Sequence, residues 1–454
     1  MNELLPLLKQ AADGLGLRAR LVGGCVRDEL LGRPCHDVDV VVEGPTDGAL
    51  RLAVRFAELA GAPPPALFPR FGTAHVVVGA DEFEFVSARA ESYSPDSRKP
   101  DVRPATLAED VRRRDFTVNA LLRTLDGDVV DLVGGLADME ARVLRTPVDP
   151  YRTVNDDPLR MLRAVRFGVQ LDFELAPELL EAMRAMRERA RPPQLSAERV
   201  RDELVKMLLS PDPRRALELL DATGLLEVVL PELAACKGVE QNEHHLYPVF
   251  EHTLAVVAGV PADLTLRLAA LFHDVGKPST ADGAGHFYGH EDVSASMARV
   301  ALRRLRFSDR QADDVVTLVE LHMVPMRYRS DWGNGSLRRL VRAAGPLLGS
   351  LMVLARADAG ASAHPDREQH HELERRLAAV QVVEPARLAP LPVNGHDVMR
   401  ECDLPPGPRV GRMLKQLQEL VLDGRVPPDR DVLLGLLGVW AHSFPDYLPA
   451  DEPT

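Results

Sequence analysis

The chain has 454 residues, 45% of them apolar and 27% charged, and a formal net charge of −13. That length implies several domains and excludes one small module, and the apolar share excludes a mostly disordered chain. The acidic balance excludes nucleic-acid binding through a uniformly basic surface.

No stretch approaches the ~18 consecutive apolar residues of a membrane span, and the opening MNELLPLLKQ lacks the order of a signal peptide. No membrane contact or export is expected, and a cytoplasmic location is. Cys25, Cys35, Cys236 and Cys402 form no CxxC pair, so reduced thiols serving as small buried fillers are expected. Lysine occurs six times against 49 arginines. That is either a compositional bias or a supply of guanidinium forks for phosphate and base stacking.

Up to about residue 145, short β-rich runs (37–42, 74–78, 82–87 and 129–132) alternate with helical stretches, an α/β pattern. In LVGGCVRDELLGRPCHDVDVVVEG (21–44), Asp37 and Asp39 lie two apart in a valine-rich run. Strand side chains alternate with period two, so both carboxylates face one side and call for a cation between them. Mg²⁺ with substrate phosphates meets that requirement; a solvated strand end is the structural alternative. Gly23 and Gly24 permit close backbone approach to phosphate, which Arg27 can neutralise. Residues 90–110, rich in turn formers and charge, are expected to form a mobile surface loop.

From about Pro158 the pattern is helical throughout, with breaks expected near 147–150, 231–243 and 361–369. Asp157 and Arg160 are three residues apart on an expected helix, hence neighbours on one face. A carboxylate accepting from an exocyclic amine and a guanidinium donating to ring acceptors together imitate the Watson–Crick edge of a base. Cytosine and adenine offer that amine; uracil and guanine do not. Arg163 and Arg166 continue the helix toward a triphosphate, toward packing against the head, or as an ordinary charged face.

Farther along come His252, His273 and Asp274 in LAALFHDVGK, then His290, His322 and Asp358. Imidazole and carboxylate ligands spread over several helices can converge on a metal. Gly276 ends the helix that carries His273 and Asp274, where Lys277 can meet a phosphate. In the last segment a helix is expected after PPGP (405–408), either to hold a backbone phosphate at its amino terminus or simply to pack.

GGxVRD, DVD, RRRDFTVNAL (112–121), DLVGGLADME (131–140) and DDPLRMLRAVRF (156–167), in this order, resemble the class II tRNA nucleotidyltransferases, the family of bacterial CCA-adding enzymes and poly(A) polymerases. The resemblance covers the first 235 or so residues. It implies a multidomain chain: an α/β nucleotidyltransferase head with a small mixed or antiparallel sheet (1–145), an all-α neck with a templating helix and tRNA-binding helices (146–235), a third domain (236–365) and a helical tail contacting tRNA (366–454). Asp37 and Asp39 become the Mg²⁺ carboxylates that activate the primer 3′-hydroxyl. Glu84 takes the place of a third acidic residue, or is a solvent-facing strand glutamate. Gly24, Arg27, Arg114, Asp115 and Asn119 lie by the incoming nucleotide, with an N-cap or ion pair as the plain alternative for Asp115. Asp157, Arg160, Arg163 and Arg166 complete the nucleotide site, although Asp156 stands where the family has glutamate. A full-length 90–110 loop favours adding the terminal adenosine.

The order H…HD…H…H…D resembles the HD phosphohydrolase superfamily. It implies a first metal site of His252, His273, Asp274 and Asp358, and a second of His290 and His322 with Asp274 bridging. Mn²⁺, Ni²⁺ or Fe²⁺ suits imidazole, and the implied activity is hydrolysis of a phosphoester or 2′,3′-cyclic phosphate. The expected activity of the whole is template-independent CCA addition to tRNA from CTP and ATP. The alternatives are A-only or CC-only addition, poly(A) synthesis, or chiefly an HD hydrolase whose head docks RNA.

Overall fold

A computed structural model describes residues 3–92, 101–241, 246–283, 285–363, 367–383 and 385–443. The chain divides into two compact units, 1–231 and 232–454. The first unit opens with α1 (Leu5–Leu15), β1 (Arg18–Val22), α2 (Gly24–Leu30), β2 (Asp37–Glu43), α3 (Gly48–Ala60), β3 (Ala66–Phe68), β4 (Thr73–Val78) and β5 (Asp81–Ser87). It continues through β6 (Arg89–Ser92), β7 (Asp101–Pro104), α4 (Leu107–Arg112), β8 (Leu122–Thr124), β9 (Val129–Val130), α5 (Gly135–Ala141) and β10 (Val143–Leu144). Then follow α6 (Pro150–Asp156), α7 (Leu159–Leu171), β11 (Glu174–Leu175), α8 (Pro177–Met186), α9 (Ala197–Leu208), α10 (Pro213–Ala222) and α11 (Leu226–Val229).

Seven strands form a mixed sheet in the order β3-β4-β5-β2-β1-β8-β9, with β2 and β5 parallel and the other neighbours antiparallel. In β2 the valines at 38, 40 and 42 join a core with Leu8 and Ala11 of α1 and Leu52 and Phe56 of α3. Val41 turns the other way into a smaller cluster with Val22, Val111 and Leu122. The period-two alternation therefore places Asp37 and Asp39 on the face away from α1 and α3.

Several expectations need correction. The run 129–132 is a strand only to Val130, because Asp131 turns to accept the backbone N–H groups of Val133, Gly134, Gly135 and Leu136. The helical region contains one short strand, β11, paired in parallel with β10. The 90–110 stretch is not all loop: β6 and β7 pair antiparallel and α4 starts at Leu107 behind a Thr106–Glu109 capping box. The rest of that expected loop, residues 93–100, lies outside the described residues. Of the four cysteines, all free, Cys25 and Cys236 are buried, but Cys35 and Cys402 are only half-buried.

The junction helix α12 (Pro231–Ala234) leads into the second unit. There follow α13 (Val249–Gly259), α14 (Leu264–Phe272), α15 (Lys277–Thr280), α16 (His290–Arg304), α17 (Asp309–Leu321), α18 (Met323–Met326), α19 (Asn334–Ala344) and α20 (Leu348–Gly360). The chain continues with α21 (Arg367–Val383), α22 (Pro385–Leu388), α23 (Gly395–Cys402), α24 (Pro408–Leu422) and α25 (Arg430–Ser443). Helices α13, α14, α16, α17 and α20 pack around buried leucines and valines, while α23, α24 and α25 share a core of Val398, Met413, Leu417 and Leu437. Among the described residues one helical run, 334–360, has the length and hydropathy of a membrane span. It is broken by a 3₁₀ turn at Gly345–Leu347, and Leu337, Leu340, Leu351 and Leu354 are buried within the unit.

Candidate active site and metal centre

In the first unit the sheet registers Asp39 between Val22 of β1 and Glu84 of β5, and Asp37 beside Glu82. Asp37, Asp39 and Glu84 therefore share one face. Burial pushes the Asp39 carboxyl up to about 6; Arg114 opposes the rise, and Glu84 and Asp37 add to it. Gly23, at φ +83°, sits where a Cβ would stand 2.9 Å from Asp39 Oδ2 and 3.4 Å from Arg114 Nη1. A side chain there would force the carboxylate and guanidinium apart. Hard oxygen donors short of positive charge, on an open sheet face, fit a divalent cation such as Mg²⁺.

Around this face runs an arginine network. Arg27 donates through Nη1 to Asn119 Oδ1 (2.5 Å), and Asn119 Nδ2 donates to Asp115 Oδ1 (3.2 Å). Asp115 Oδ2 accepts from Nε (2.8 Å) and Nη2 (2.6 Å) of Arg163. Burial alone would raise the Asp115 carboxyl, but the Arg163 charge and these bonds outweigh it and hold it below its ordinary value. The ion pair named as an alternative for Asp115 is thus present.

DLVGGLADME is a brace for the same segment. Asp138 accepts from Thr117 Oγ1 at 2.7 Å, and a Cβ on Gly135 would lie 2.3 Å from the Thr117 carbonyl oxygen.

Asp157 and Arg160 do not share a helix. Asp157 is extended (φ −146°, ψ 105°), because Pro158 excludes the α conformation from the residue before it. Its carboxylate instead caps α7, accepting from Leu159 N–H at 3.1 Å, and pairs with Arg199 at 2.8 Å. Arg160 donates to the carbonyls of Thr153 (3.2 Å) and Arg113 (2.5 Å), which ties α7 to the head. Two of its five N–H groups are so used, and three remain. Arg166 turns away from the carboxylates to Glu203 (2.5 Å) and Gln170 (2.8 Å).

The sequence reading missed four residues. Asp110, 1% exposed, holds both Arg113 and Arg114. Its spacing of three and four to them on a helix was the available signal. The Phe167 ring lies under three guanidiniums, those of Arg27, Arg163 and Arg166, at 5.1, 5.3 and 3.9 Å. Arg199 and Glu203 carried no local signal.

In the second unit all six expected ligands converge. His252 Nε2 lies 3.4 Å from His273 Nε2 and 3.1 Å from Asp358 Oδ1. His290 Nε2 lies 3.3 Å from His322 Nε2 and 3.2 Å from Asp274 Oδ1. The groups His252–His273–Asp274 and Asp274–His290–His322 each bring their ligand atoms within 4.8 Å of one another, with Asp274 common to both.

Three of the imidazoles are oriented from behind. The Nδ1 atoms of His273, His290 and His322 meet the carbonyls of Ala270 (2.8 Å), Phe287 (2.7 Å) and Val319 (2.6 Å). An Nδ1–H donated outward leaves Nε2 as the nitrogen facing in, the one whose lone pair a metal takes once any proton on it is lost.

Burial, reinforced by the charge on His273, lowers His322 to about 4, so it is neutral at ordinary pH. Burial would raise Asp274, but His273 and Lys277 hold it well below the usual carboxylate range. Lys277, expected to meet a phosphate, lies 2.7 Å from Asp274 Oδ2. This donor set fits transition metals.

A nucleotidyltransferase head with an acidic triad and a helical remainder defines the class, and comparisons identify the family. Residues 19–145 match the family described as "Poly A polymerase head domain", 172–237 that described as "Probable RNA and SrmB-binding site of polymerase A", and 289–437 that described as "tRNA nucleotidyltransferase domain 2 putative". The chain is 35% identical to the A-adding tRNA nucleotidyltransferase of Deinococcus radiodurans, over 94% of this chain and 96% of that one. It is 38% identical to the CC-adding tRNA nucleotidyltransferase of Thermus thermophilus, over 89% and 90%. The crystal structure of the Bacillus stearothermophilus CCA-adding enzyme with CTP matches at TM-score 0.66 and 25% identity, covering 96% of both chains. The chain belongs to the tRNA nucleotidyltransferase family.

Proposed function

We propose that the protein rebuilds CCA at tRNA 3′ ends from CTP and ATP, in the cytoplasm, releasing pyrophosphate. The observation that carries this is the face shared by Asp37, Asp39 and Glu84, with Gly23 and Arg114 packed against Asp39. Asp37 and Asp39 hold Mg²⁺, which supplies charge neutralisation and lowers the pKa of the attacking 3′-hydroxyl. Gly24, Arg27, Arg114 and Asn119 receive the triphosphate and sugar. Asp115 fixes Arg163, and Arg166 steadies α7 through Glu203. Asp157 accepts from the exocyclic amine of cytosine or adenine, and the unspent N–H groups of Arg160 donate to the ring. Within the two units we assign 1–145 as head, 146–235 as neck, 236–365 as the metal-binding domain and 366–454 as tail.

A second reading, A-only or CC-only addition, is favoured by the names of two relatives that each cover about nine-tenths of the chain. The test offers tRNA ending before CCA, after C or after CC, with labelled CTP or ATP singly and together. Incorporation on all three substrates supports full CCA addition. Labelling restricted to the CC end, or to CTP, selects the narrower reading.

The second unit, we infer, hydrolyses a phosphoester at an HD-type centre of His252, His273, Asp274, His290, His322 and Asp358. The shared Asp274 and the inward-facing imidazoles support it. Mn²⁺, Ni²⁺ or Fe²⁺ bound there supplies Lewis acidity and an activated water. A 2′,3′-cyclic phosphate or a damaged tRNA end fits the neighbouring activity. Asp39→Ala should abolish incorporation and spare hydrolysis, and Asp274→Ala should do the reverse. Loss of both activities from either change rules out separate sites.

A further inference from the structure

The sheet face that bears the carboxylates runs on past them to the outer edge. Asp39 pairs with Glu84 of β5, Glu84 with His75 of β4, and His75 with Ala66 of β3, so these four share the face. By the same pairings Val77 lies in the row of Asp37, and Phe68 in the row of Val41. Val41 is buried, whereas Val77 and Phe68 are 43% and 49% exposed, apolar side chains held out to solvent beside charged ones. His75 is half-buried, with Nε2 3.1 Å from Glu82 Oε2.

The flank of Asp39 toward β3 differs from the flank toward β1. On the β1 side, Arg114 Nη1 lies 3.4 Å and the Asn119 carbonyl oxygen 3.9 Å from the Cβ position of Gly23, the residue that follows β1. An in-line displacement puts the attacking hydroxyl and the departing pyrophosphate on opposite sides of the α-phosphorus. With the guanidinium on the β1 side, pyrophosphate leaves that way and the hydroxyl arrives over Glu84.

We propose that the face of β5, β4 and β3 is the track on which the unpaired 3′ end of the RNA primer lies, its bases stacked on His75 and Phe68. Glu82 and Glu84 repel phosphates and leave the face to bases. Arg70, exposed in the 3₁₀ turn Pro69–Phe71 that follows β3, meets the backbone at the margin. Every base has a π-face, so stacking accepts any sequence, which suits a primer whose last base changes with each addition. At ~4.8 Å per strand, β3 lies about 14 Å from β2. About four nucleotides stacked at ~3.4 Å cover that distance.

The inference rests on the proposed transfer activity, and the test separates the two. A 5′-fluorescein RNA hairpin with a short unpaired 3′ end is bound to the full-length protein without nucleotide and followed by anisotropy; in a second assay it is extended with Mg²⁺ and CTP. Phe68→Ala, a change at an exposed position, should weaken binding about tenfold and raise KM for the hairpin by about as much, with KM for CTP and the melting temperature unmoved. Phe68→Tyr keeps a ring and should bind as the wild type does. On a hairpin whose unpaired nucleotides are abasic, Phe68→Ala and wild type should bind alike, because no base is left to stack. Undiminished binding of the normal hairpin by Phe68→Ala, a loss that persists on the abasic one, or a raised KM for CTP in place of the hairpin would each overturn the proposal. So would a wild-type dimer that Phe68→Ala dissolves with RNA binding unmoved, since the face would then belong to a second copy of the chain. No incorporation by the wild type, with the anisotropy differences intact, sinks the transfer activity and upholds the track.

Discussion

Arg199 of α9 places Nη2 2.8 Å from Asp157 Oδ2, so the carboxylate proposed to face the incoming base is held from the neck side by a guanidinium 42 residues away. The same carboxylate is pinned by Leu159 N–H through Oδ1. Two anchors on two oxygens fix its rotation, and an acceptor of fixed direction is what discrimination between an amine and a carbonyl requires. Arg199→Ala removes one anchor at an exposed position. Thermal stability should barely change, while the preference for CTP over UTP should drop roughly tenfold, measured as the ratio of kcat/KM values. An unchanged ratio would separate Arg199 from base selection.

Gly23→Ala tests the close approach at the carboxylate strand. The new methyl meets Asp39 Oδ2 at 2.9 Å, on a backbone at φ +83°. With ψ at −141° this backbone lies in a positive-φ region essentially reserved for glycine, and an alanine held there costs about 1–3 kcal/mol. Displacement of Asp39 should lower incorporation by about 100-fold. Circular dichroism melts and single-turnover kinetics check the two effects separately.

The raised pKa of Asp39 sets a pH dependence. Burial lifts its carboxyl to about 6 in the folded chain, against an ordinary value of 3.8. In the metal-free protein the group's stabilising contribution is complete below about 3.8 and is lost as pH rises through about 6, because the folded state holds the proton more tightly. Metal binding has the opposite sign, since the ligand must be ionised. Below about pH 6 the apparent Mg²⁺ affinity should therefore fall by about tenfold per pH unit. Magnesium titrations of incorporation between about pH 5 and pH 7 measure this, and in chelator the melting temperature of wild type relative to Asp39→Asn should decline over the same interval.

Arg166 distinguishes nucleotide binding from packing. It and Glu203 are 7% and 4% exposed and 2.5 Å apart. Removing one member of such a buried pair leaves a stranded charge, at a cost of about 3–5 kcal/mol. Arg166→Ala should destabilise the protein by that amount in urea, whereas Arg166→Met with Glu203→Leu should recover most of it. A raised KM for CTP in the double variant, with stability intact, would return Arg166 to the nucleotide site.

The face shared by Asp37 and Asp39 was legible because strand alternation is local: the side on which they emerge follows from DVDVVV alone. The break at Asp157 was legible too, since Pro158 bars the preceding residue from the helix, yet motif spacing alone suggested one continuous face. Partnerships such as Asp115–Arg163, Asp157–Arg199 and Arg166–Glu203 link residues 48, 42 and 37 positions apart. Only tertiary packing brings these together, so no local period announces them. The histidine set was legible as an ordered motif. The carbonyls of Ala270, Phe287 and Val319 that orient three of its rings carry no side-chain signature.

Sharing of Asp274 between two candidate ligand groups predicts that the proposed metal centre responds asymmetrically to substitution. His252 and His273 belong to one group and His290 and His322 to the other, with Asp274 in both. His322 titrates near 4, so at neutral pH no proton on that ring competes with a metal. Protein stripped with chelator and dialysed against Mn²⁺ should bind two ions per chain. Losing an outer-shell partner already costs a metal about 10–100-fold in affinity, and losing a direct ligand should cost its own ion at least that while leaving the other bound, so His290→Ala should retain one ion. Asp274→Ala withdraws a carboxylate from both positions and should retain none. Equal loss from His290→Ala and Asp274→Ala, measured by plasma emission after dialysis, would mean the two groups hold a single ion between them.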